Sequence, residues 1–327
     1  MATFKKAVEG ALPAFPPAIG RTARWLKHFG VQNSILLAVL ALVTIPALTN
    51  PSFTTEANLV GLLQASAVLT TVTMGEAMVM LVAGIDLAVG AAVALGSTIL
   101  ALTIAAGHPL LVGVVASVVV VGLCGFVSGL VVAKLKLPSF IVTFGMLGVE
   151  EGIALVISGG NRISLPFSSN LPSLMYSGVG DIPYAFCLSL VLLAAGSFFL
   201  RYIRTGRRMY ATGSNLDAAR VSGVRIDRVI ITAFVLSSVF AALGGVIYTS
   251  RIISGDPVGD LTLNLQAIAA GVIGGVSLFG GRGTLRGAFL GAIAYTLIIN
   301  VLNLYGVNPN VAELVSGVII IGAAYAS

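Results

Sequence analysis

Long apolar runs recur along most of the chain, separated by shorter stretches that contain glycine, proline and basic residues. Each run approaches the roughly 20 apolar residues that an α-helix needs to cross a bilayer. The alternation of polar and apolar residues that is typical of membrane β-barrel strands is not visible. The pattern therefore predicts about ten membrane-spanning helices, with approximate bounds 33–49, 58–82, 87–106, 109–133, 139–157, 184–200, 229–249, 264–279, 287–304 and 311–326.

The composition supports an all-α polytopic membrane protein. The 327-residue chain is 57% hydrophobic and only 9% charged, whereas a soluble protein carries about a quarter of charged residues. Glycine-rich stretches indicate that some helices are broken or re-entrant. Two of these stretches, AGIDLAVG at 83–90 and GGVSLFGG at 274–281, share a pattern of apolar and glycine positions and hint at an internal repeat.

Basic residues divide unequally between the two sets of loops. Sixteen of the 18 Lys and Arg residues fall in the segments 1–32, 134–136, 201–228 and 282–286, and only Arg162 and Arg251 fall in the other set. The positive-inside rule therefore predicts that both termini are cytoplasmic. The basic residues of the cytoplasmic segments account for the net charge of +6. This positive charge favours contact with anionic lipid headgroups as a secondary partner and does not require nucleic acid as a partner.

The chain is expected to contain one membrane domain and one preceding segment. Residues 1–32 are basic and contain proline, and no small-residue cleavage site follows a single apolar core. They are interpreted as a retained cytoplasmic N-terminal segment and not as a cleaved signal peptide. Residues 33–327 form the expected transmembrane domain, with a long cytoplasmic loop at 201–228.

The sequence of this long loop predicts a short helix. Gly213 and Ser214 predict a turn, and Asn215 is a residue type that caps the start of a helix. The segment LDAARVSG would then form a helix that ends at Gly223, because glycine readily adopts the left-handed conformation of a C-terminal cap. A short helix on a basic loop between two spans is the arrangement expected of a segment that docks a partner protein. The alternative interpretation is a solvated loop whose basic residues only follow the positive-inside rule.

Motifs for catalysis and metal binding are missing. Cys124 and Cys187 fall inside predicted spans as packing residues, and His28 and His108 lack a metal-binding spacing. The GxxxxGK[ST] phosphate-binding loop is absent, so the chain is not expected to bind nucleotide by itself. We predict no catalytic residue, no metal ligand and no cofactor on this chain.

Asp86 is an acid between two apolar runs, in the stretch AGIDLAVG. One interpretation is structural: the carboxylate caps a helix that starts at Leu87, with Gly84 and Gly90 on either side of the junction. The other interpretation is a gate or hinge at the cytoplasmic mouth. A charge at mid-membrane would cost about 2.5–3.5 kcal/mol, so the mouth is the expected position.

Other polar residues within the spans are candidates for a substrate path. Amide and carboxyl groups can bind the hydroxyls of an uncharged solute, and the candidates are Glu76, Asn264, Gln266, Asn300 and Asn303. Interhelical hydrogen bonding is the alternative role for each. Arg162 and Arg251 are the cations of the external loops, and either dock a soluble partner or extend toward lipid headgroups.

Four segments resemble the permease subunits of ribose-type simple-sugar ABC importers, within the branched-chain amino acid/ribose-type binding-protein-dependent permease family. YATGSNLDAARVSGV is similar to that family's cytoplasmic coupling segment, and AGIDLAVGA to its GGIDLSVGA signature. PSFIVTFGMLGVEEGIALVISGG and the stretch 264–307 are similar to two further family segments. The four occur in the family's order, from about residue 33 to the end.

The resemblance implies an ABC importer permease fold and several partners. These are a second permease subunit (a second copy or a related chain), a cytoplasmic ABC ATPase that binds ATP and Mg²⁺, and a periplasmic solute-binding protein, at the bacterial inner membrane. It implies import of a pentose, a hexose or a similar small polar solute. The residues implied to dock on the ATPase are Asn215, Leu216, Ala218, Ala219, Arg220 and Gly223.

One departure from the family pattern concerns the fifth predicted span. Family members commonly carry Arg before the glycine, whereas this chain has Glu150 and Glu151 before Gly152. The alternative function, independent of the resemblance, is a self-sufficient secondary transporter or channel. Such a protein would use acids in its spans as an ion or proton relay, and the candidates are Glu76, Glu150, Glu151 and Glu313.

Overall fold

The computed structural model of the chain describes residues 34–165 and 171–308, together with positions 311, 314–315, 317–318 and 321–322. The predicted N-terminal segment 1–32 and Glu313 lie outside the described residues. Most of the predicted span 311–326 also lies outside them, so the last of the expected helices is not compared with the structure.

The described chain is built almost entirely from α-helices. They are α1 (Ser34–Thr49), α2 (Glu56–Leu81), α3 (Val89–Ala105), α4 (Leu110–Leu135), α5 (Ser139–Ser158), α6 (Ser173–Tyr176), α7 (Tyr184–Tyr202), α8 (Arg204–Ser214), α9 (Leu216–Val221), α10 (Ile226–Ile252), α11 (Leu261–Ile273) and α12 (Leu285–Leu304). A 3₁₀-helix covers Pro51–Thr54, and the two-residue strands are β1 (Ile163–Ser164), β2 (Gly178–Val179), β3 (Ile182–Pro183) and β4 (Ser254–Gly255).

Six helices within the described ranges are long and apolar enough to cross a membrane, namely α2, α4, α5, α7, α10 and α12. Helices α1, α3 and α11 are apolar but shorter. Every predicted span up to 287–304 coincides with one of these nine helices. The structure thus confirms the prediction of an all-α polytopic membrane protein.

Helix α11 differs from its prediction. The run 264–279 is mostly apolar, but the helix ends at Ile273 and residues 274–284 form an irregular turn. Gly275, Gly280 and Gly281 there have φ between 70° and 85°, which ends a right-handed helix. With 13 residues, α11 is about 20 Å long and shorter than the roughly 30 Å hydrocarbon core. It is therefore one of the expected broken helices.

Helix α10 lies at the centre of the bundle and packs against α2, α3 and α4. In its most apolar 18-residue window 61% of positions are buried, against 17% in α5. Glycines allow the close approach: a Cβ on Gly245 would collide with the Val93 carbonyl oxygen, and a Cβ on Gly125 would collide with Ser238. The outer faces of α4, α5 and α7 expose large apolar side chains.

The two ends of the bundle differ in charge and structure. We call the end that carries α8, α9 and the segment 274–284 the basic end; there the N–H of Gly281 donates to the carbonyl oxygen of Leu81. At the opposite end β1 pairs antiparallel with β4, with Ile163 facing Gly255. This pairing joins the segment after α5 to the segment after α10.

Candidate functional site

Helices α8 and α9 form the segment for which docking is predicted. The side chain of Asn215 accepts a hydrogen bond from the Ala218 N–H (2.9 Å), and Gly223 has a φ of 77° after the helix ends. Both features confirm the predicted short helix with its N-cap and its left-handed C-terminal glycine. The turn predicted at Gly213 and Ser214 is wrong, because both residues belong to the last turn of α8.

The outer surface of α9 exposes apolar side chains beyond the membrane-spanning helices. Leu216 is 42% exposed and Val221 is 90% exposed. Asn215, Ala218, Arg220 and Gly223, the other predicted docking residues on the outside, are also exposed. Ala219 is buried and faces the rest of the chain, so its side chain is not presented to a partner. An exposed apolar surface on a short basic segment fits a protein–protein contact.

The end of α8 is packed tightly against the ends of two bundle helices. A Cβ on Gly213 would collide with the carbonyl oxygen of Leu81 and the backbone nitrogen of Gly281. The Tyr210 hydroxyl donates to the Gly283 carbonyl oxygen (3.1 Å), and burial raises the pKa of that phenol. Helix α8 is therefore in direct contact with the C-terminal end of α2 and with the segment 274–284.

Asp86 fixes the turn that precedes α3. One carboxylate oxygen accepts from the Ala88 N–H and the other from the Ser237 hydroxyl of α10, both at 3.0 Å. The Asp86 N–H in turn donates to a carboxylate oxygen of Glu76 (3.2 Å). Helix α3 begins at Val89 and not at Leu87, and Ala88 is its N-cap. The carboxylate thus joins the turn to α10 and does not cap the helix itself.

Asp86 is buried between α2 and α10. Ser237, its partner on α10, lies eleven residues after the first residue of that helix, about 16 Å along it. Asp86 is only 5% exposed within this chain. The chain folds back into the bundle after Leu81, which brings Asp86 level with Glu76, and the position at a cytoplasmic mouth stays a prediction.

A second buried acid lies near Asp86. Glu150 of α5 is buried and interacts electrostatically with Asp86, whereas Glu151 is only half-buried. Helix α5 is attached to the same turn through Thr143, whose hydroxyl oxygen accepts from the Leu87 N–H (3.0 Å). The sequence analysis pointed to Glu150 as a departure from the family pattern but did not predict its nearness to Asp86.

Gly90 and Asn264 join the start of α3 to α11. The Gly90 N–H donates to the side-chain oxygen of Asn264, and the Asn264 amide donates to the Leu87 carbonyl oxygen (2.6 Å). A Cβ on Gly90 would collide with the Asp260 carbonyl oxygen, and one on Gly84 would collide with Val79. Glu76 and Asn264, both predicted for the substrate path, are thus engaged in contacts between segments.

A cavity of about 410 Å³ lies between α2, α3, α10, α11 and α12. The predicted path residues Gln266, Asn300 and Asn303 line it, whereas Glu76 and Asn264 do not. Sequence reasoning missed its other polar lining residues, which are Tyr248, Asp260, Tyr295 and Thr296. The volume and the mixture of apolar walls with a few polar groups are typical of a small-molecule site.

The two predicted external arginines have different surroundings. Arg162 forms an ion pair with Asp256 (2.6 Å), whose side chain is 6% exposed, so Arg162 has a partner within its own chain. Arg251 lines the cavity described above. The intramolecular pair was missed because Arg162 and Asp256 are far apart in sequence and only the packing of β1 on β4 brings them together.

A bundle of apolar helices with a polar-lined cavity and an exposed short helix at one end fits a membrane transport permease. Residues 58–324 match the family described as "branched-chain amino acid transport system / permease component". The chain belongs to this family.

Individual relatives extend this comparison. The chain is 31% identical to the ribose import permease protein of Haemophilus influenzae over 92% of this chain and 94% of the relative, and 32% identical to that of Escherichia coli K12 over 92% and 93%. It is 36% identical to the autoinducer 2 import system permease protein of Salmonella choleraesuis over 89% and 84%. No solved structure matches the chain at a significant level.

Proposed function

We propose that this chain is the permease subunit of an ABC importer that moves a simple sugar, or a similar small polar solute, into the cytoplasm. The observation that carries the proposal is the similarity to ribose and autoinducer 2 import permeases over about nine-tenths of the chain. The polar-lined cavity supports it, because a hydroxyl-rich solute needs hydrogen-bonding groups such as the amides of Asn300 and Asn303.

The proposed assembly contains two permease subunits, an ABC ATPase and a solute-binding protein. The ATPase would bind ATP and Mg²⁺ and contact the exposed face of α9, including Leu216 and Arg220. The basic end would then face the cytoplasm of the bacterial inner membrane. About ten spans, a cytoplasmic N-terminal segment over 1–32 and a permease domain over 33–327 complete this organisation. The solute-binding protein would approach the opposite end, near Arg251.

A larger side chain that fills the cavity tests whether the cavity is needed for transport. Gly61 of α2 lines the cavity, and a Cβ at this position meets nothing within 4 Å. We expect Gly61→Leu to reduce ATP-driven solute uptake at least tenfold without lowering the unfolding temperature, because the side chain extends into empty space. Gly148→Leu on the outer face of α5 is the matched control and should transport normally. Normal uptake by Gly61→Leu would contradict the role of the cavity.

The buried acids favour a second candidate function, a secondary transporter driven by an ion gradient. Glu76 and Glu150 each have one buried carboxyl oxygen without a hydrogen-bond partner, as an ion relay would require. A secondary transporter would not need the exposed apolar face of α9. Uptake measured in vesicles without any ATPase distinguishes the ABC importer from the secondary transporter.

A further inference from the structure

A second cavity, at the basic end, is lined by three arginines. It has a volume of about 410 Å³ and lies between α8 and the first turns of α10. Arg208, Arg225 and Arg228 line it, and no acidic residue does. Within the described ranges none of the three forms a salt bridge.

The three arginines concentrate positive charge around one cavity. Guanidinium groups remain charged at all physiological pH values, and like charges in a shared space repel each other. The neighbouring Lys134 differs, because it pairs with Asp227 at 2.6 Å. An anion bound between the three arginines would remove the repulsion.

The depth of the cavity indicates where this anion comes from. Arg228 and Val229 belong to the first turn of α10, a helix long and apolar enough to cross the membrane. Val229 is buried, whereas the three arginines are exposed toward the end of the bundle. The cavity therefore lies where a spanning helix leaves the hydrocarbon core, which is the level of the phospholipid headgroups.

We propose that Arg208, Arg225 and Arg228 bind the phosphate of an anionic phospholipid headgroup. The planar guanidinium group matches phosphate oxygens with two parallel hydrogen bonds, and three arginines line this one cavity. The site rests on α10 spanning the membrane and not on the identity of the transported solute or the ATPase. Failure of the proposed transport function would leave it standing.

The experiment measures lipid binding to the purified full-length chain in detergent, with no ATPase present. Phosphatidylglycerol, phosphatidylcholine or inorganic phosphate is added, and bound molecules are counted by native mass spectrometry. We expect saturable binding of phosphatidylglycerol only. The double variant R208Q/R228Q should bind it about 30-fold more weakly, since each basic residue near the surface contributes about 1 kcal/mol.

The matched control is R204Q/R282Q, which removes the same charge from exposed arginines outside the cavity and should bind normally. Equal weakening in both variants would mean that net charge alone attracts lipid, and would overturn the site. Unchanged binding in R208Q/R228Q would overturn it as well.

Displacement of the lipid by an equal concentration of inorganic phosphate would assign the cavity to a soluble anion and contradict the lipid proposal. If R208Q/R228Q does not fold, the single variants R225Q and R282Q give the same comparison.

Discussion

At the residue scale, the contacts of Asp86 explain why an acid is kept inside an apolar bundle. Its two carboxylate oxygens accept from a backbone N–H of the turn before α3 and from a hydroxyl of α10. The sequence predicted an acceptor at this turn, because short-range capping chemistry depends on neighbouring residues. It did not predict Ser237 or the depth, because those depend on how α10 packs against the turn.

Substitution of Asp86 separates hydrogen bonding from charge. Asn retains an oxygen acceptor for the Ala88 N–H, whereas Leu leaves both donors without a partner, at about 1–3 kcal/mol for each buried donor. We expect Asp86→Asn to keep most of the thermal stability and transport, and Asp86→Leu to lose both. Unfolding temperatures in detergent and uptake in vesicles are the measurements. Equal, complete loss of transport in both variants would mean that the charge itself is required.

The pair between Arg162 and Asp256 gives a second test at this scale. Loss of the arginine would leave a buried carboxylate without its cation, and a hydrogen bond to a charged group is worth about 1.5–3 kcal/mol. Because Arg162 is 69% exposed, we expect the lower end of this range for Arg162→Gln. The double variant R162Q/D256N should recover part of the lost unfolding temperature. A double variant less stable than Arg162→Gln would contradict the pairing.

At the element scale, two turns at the basic end share one geometry. After α2 the Gly84 N–H donates to the Val79 carbonyl oxygen, and after α11 the Val276 N–H donates to that of Gly271. Ala83 and Gly275, which precede the donors, have φ of 60° and 81°. The same hydrogen bond also closes α3, α5, α9 and α12, each with a glycine of positive φ before the donor. This geometry is therefore a common helix end in the described chain, and the internal repeat suggested by AGIDLAVG and GGVSLFGG stays a prediction.

Hydrophobic length predicted most helices, because a span must satisfy its backbone inside lipid and therefore needs a long apolar run. Hydrophobic length did not predict the end of α11, because the residues after Ile273 remain mostly apolar although the helix ends there. The cavity was predicted only in part. Gln266, Asn300 and Asn303 stood out as polar residues within spans, whereas the convergence of residues from five helices depends on how those helices pack.

The contact between α8 and the ends of α2 and α11 is tested at Gly213. Ala at this position would force its Cβ into the Leu81 carbonyl oxygen, so we expect a loss of about 1–3 kcal/mol in unfolding free energy and weaker stimulation of the ATPase. Gly145→Ala in α5 is the control, because a Cβ there meets nothing within 4 Å. Identical stability and stimulation in the two variants would mean that the contact does not transmit motion.

At the scale of the whole molecule, three features lie in separate regions. The cavity is lined by polar groups, the turn around Asp86 joins α3, α5 and α10, and α9 presents an exposed apolar face. The family to which the chain belongs is described as the permease component of a transport system, and a component of such a system needs a surface for its partners. The proposed function requires that the energy for transport comes from an ATPase and not from an ion gradient.

The most direct test reconstitutes the purified chain in vesicles with its candidate ATPase and solute-binding protein. The proposed function predicts that solute-loaded binding protein stimulates ATP hydrolysis and that uptake requires all three components. Vesicles that contain the chain alone should not accumulate solute when a proton or sodium gradient is imposed. Accumulation by the chain alone, driven by such a gradient, would contradict the account.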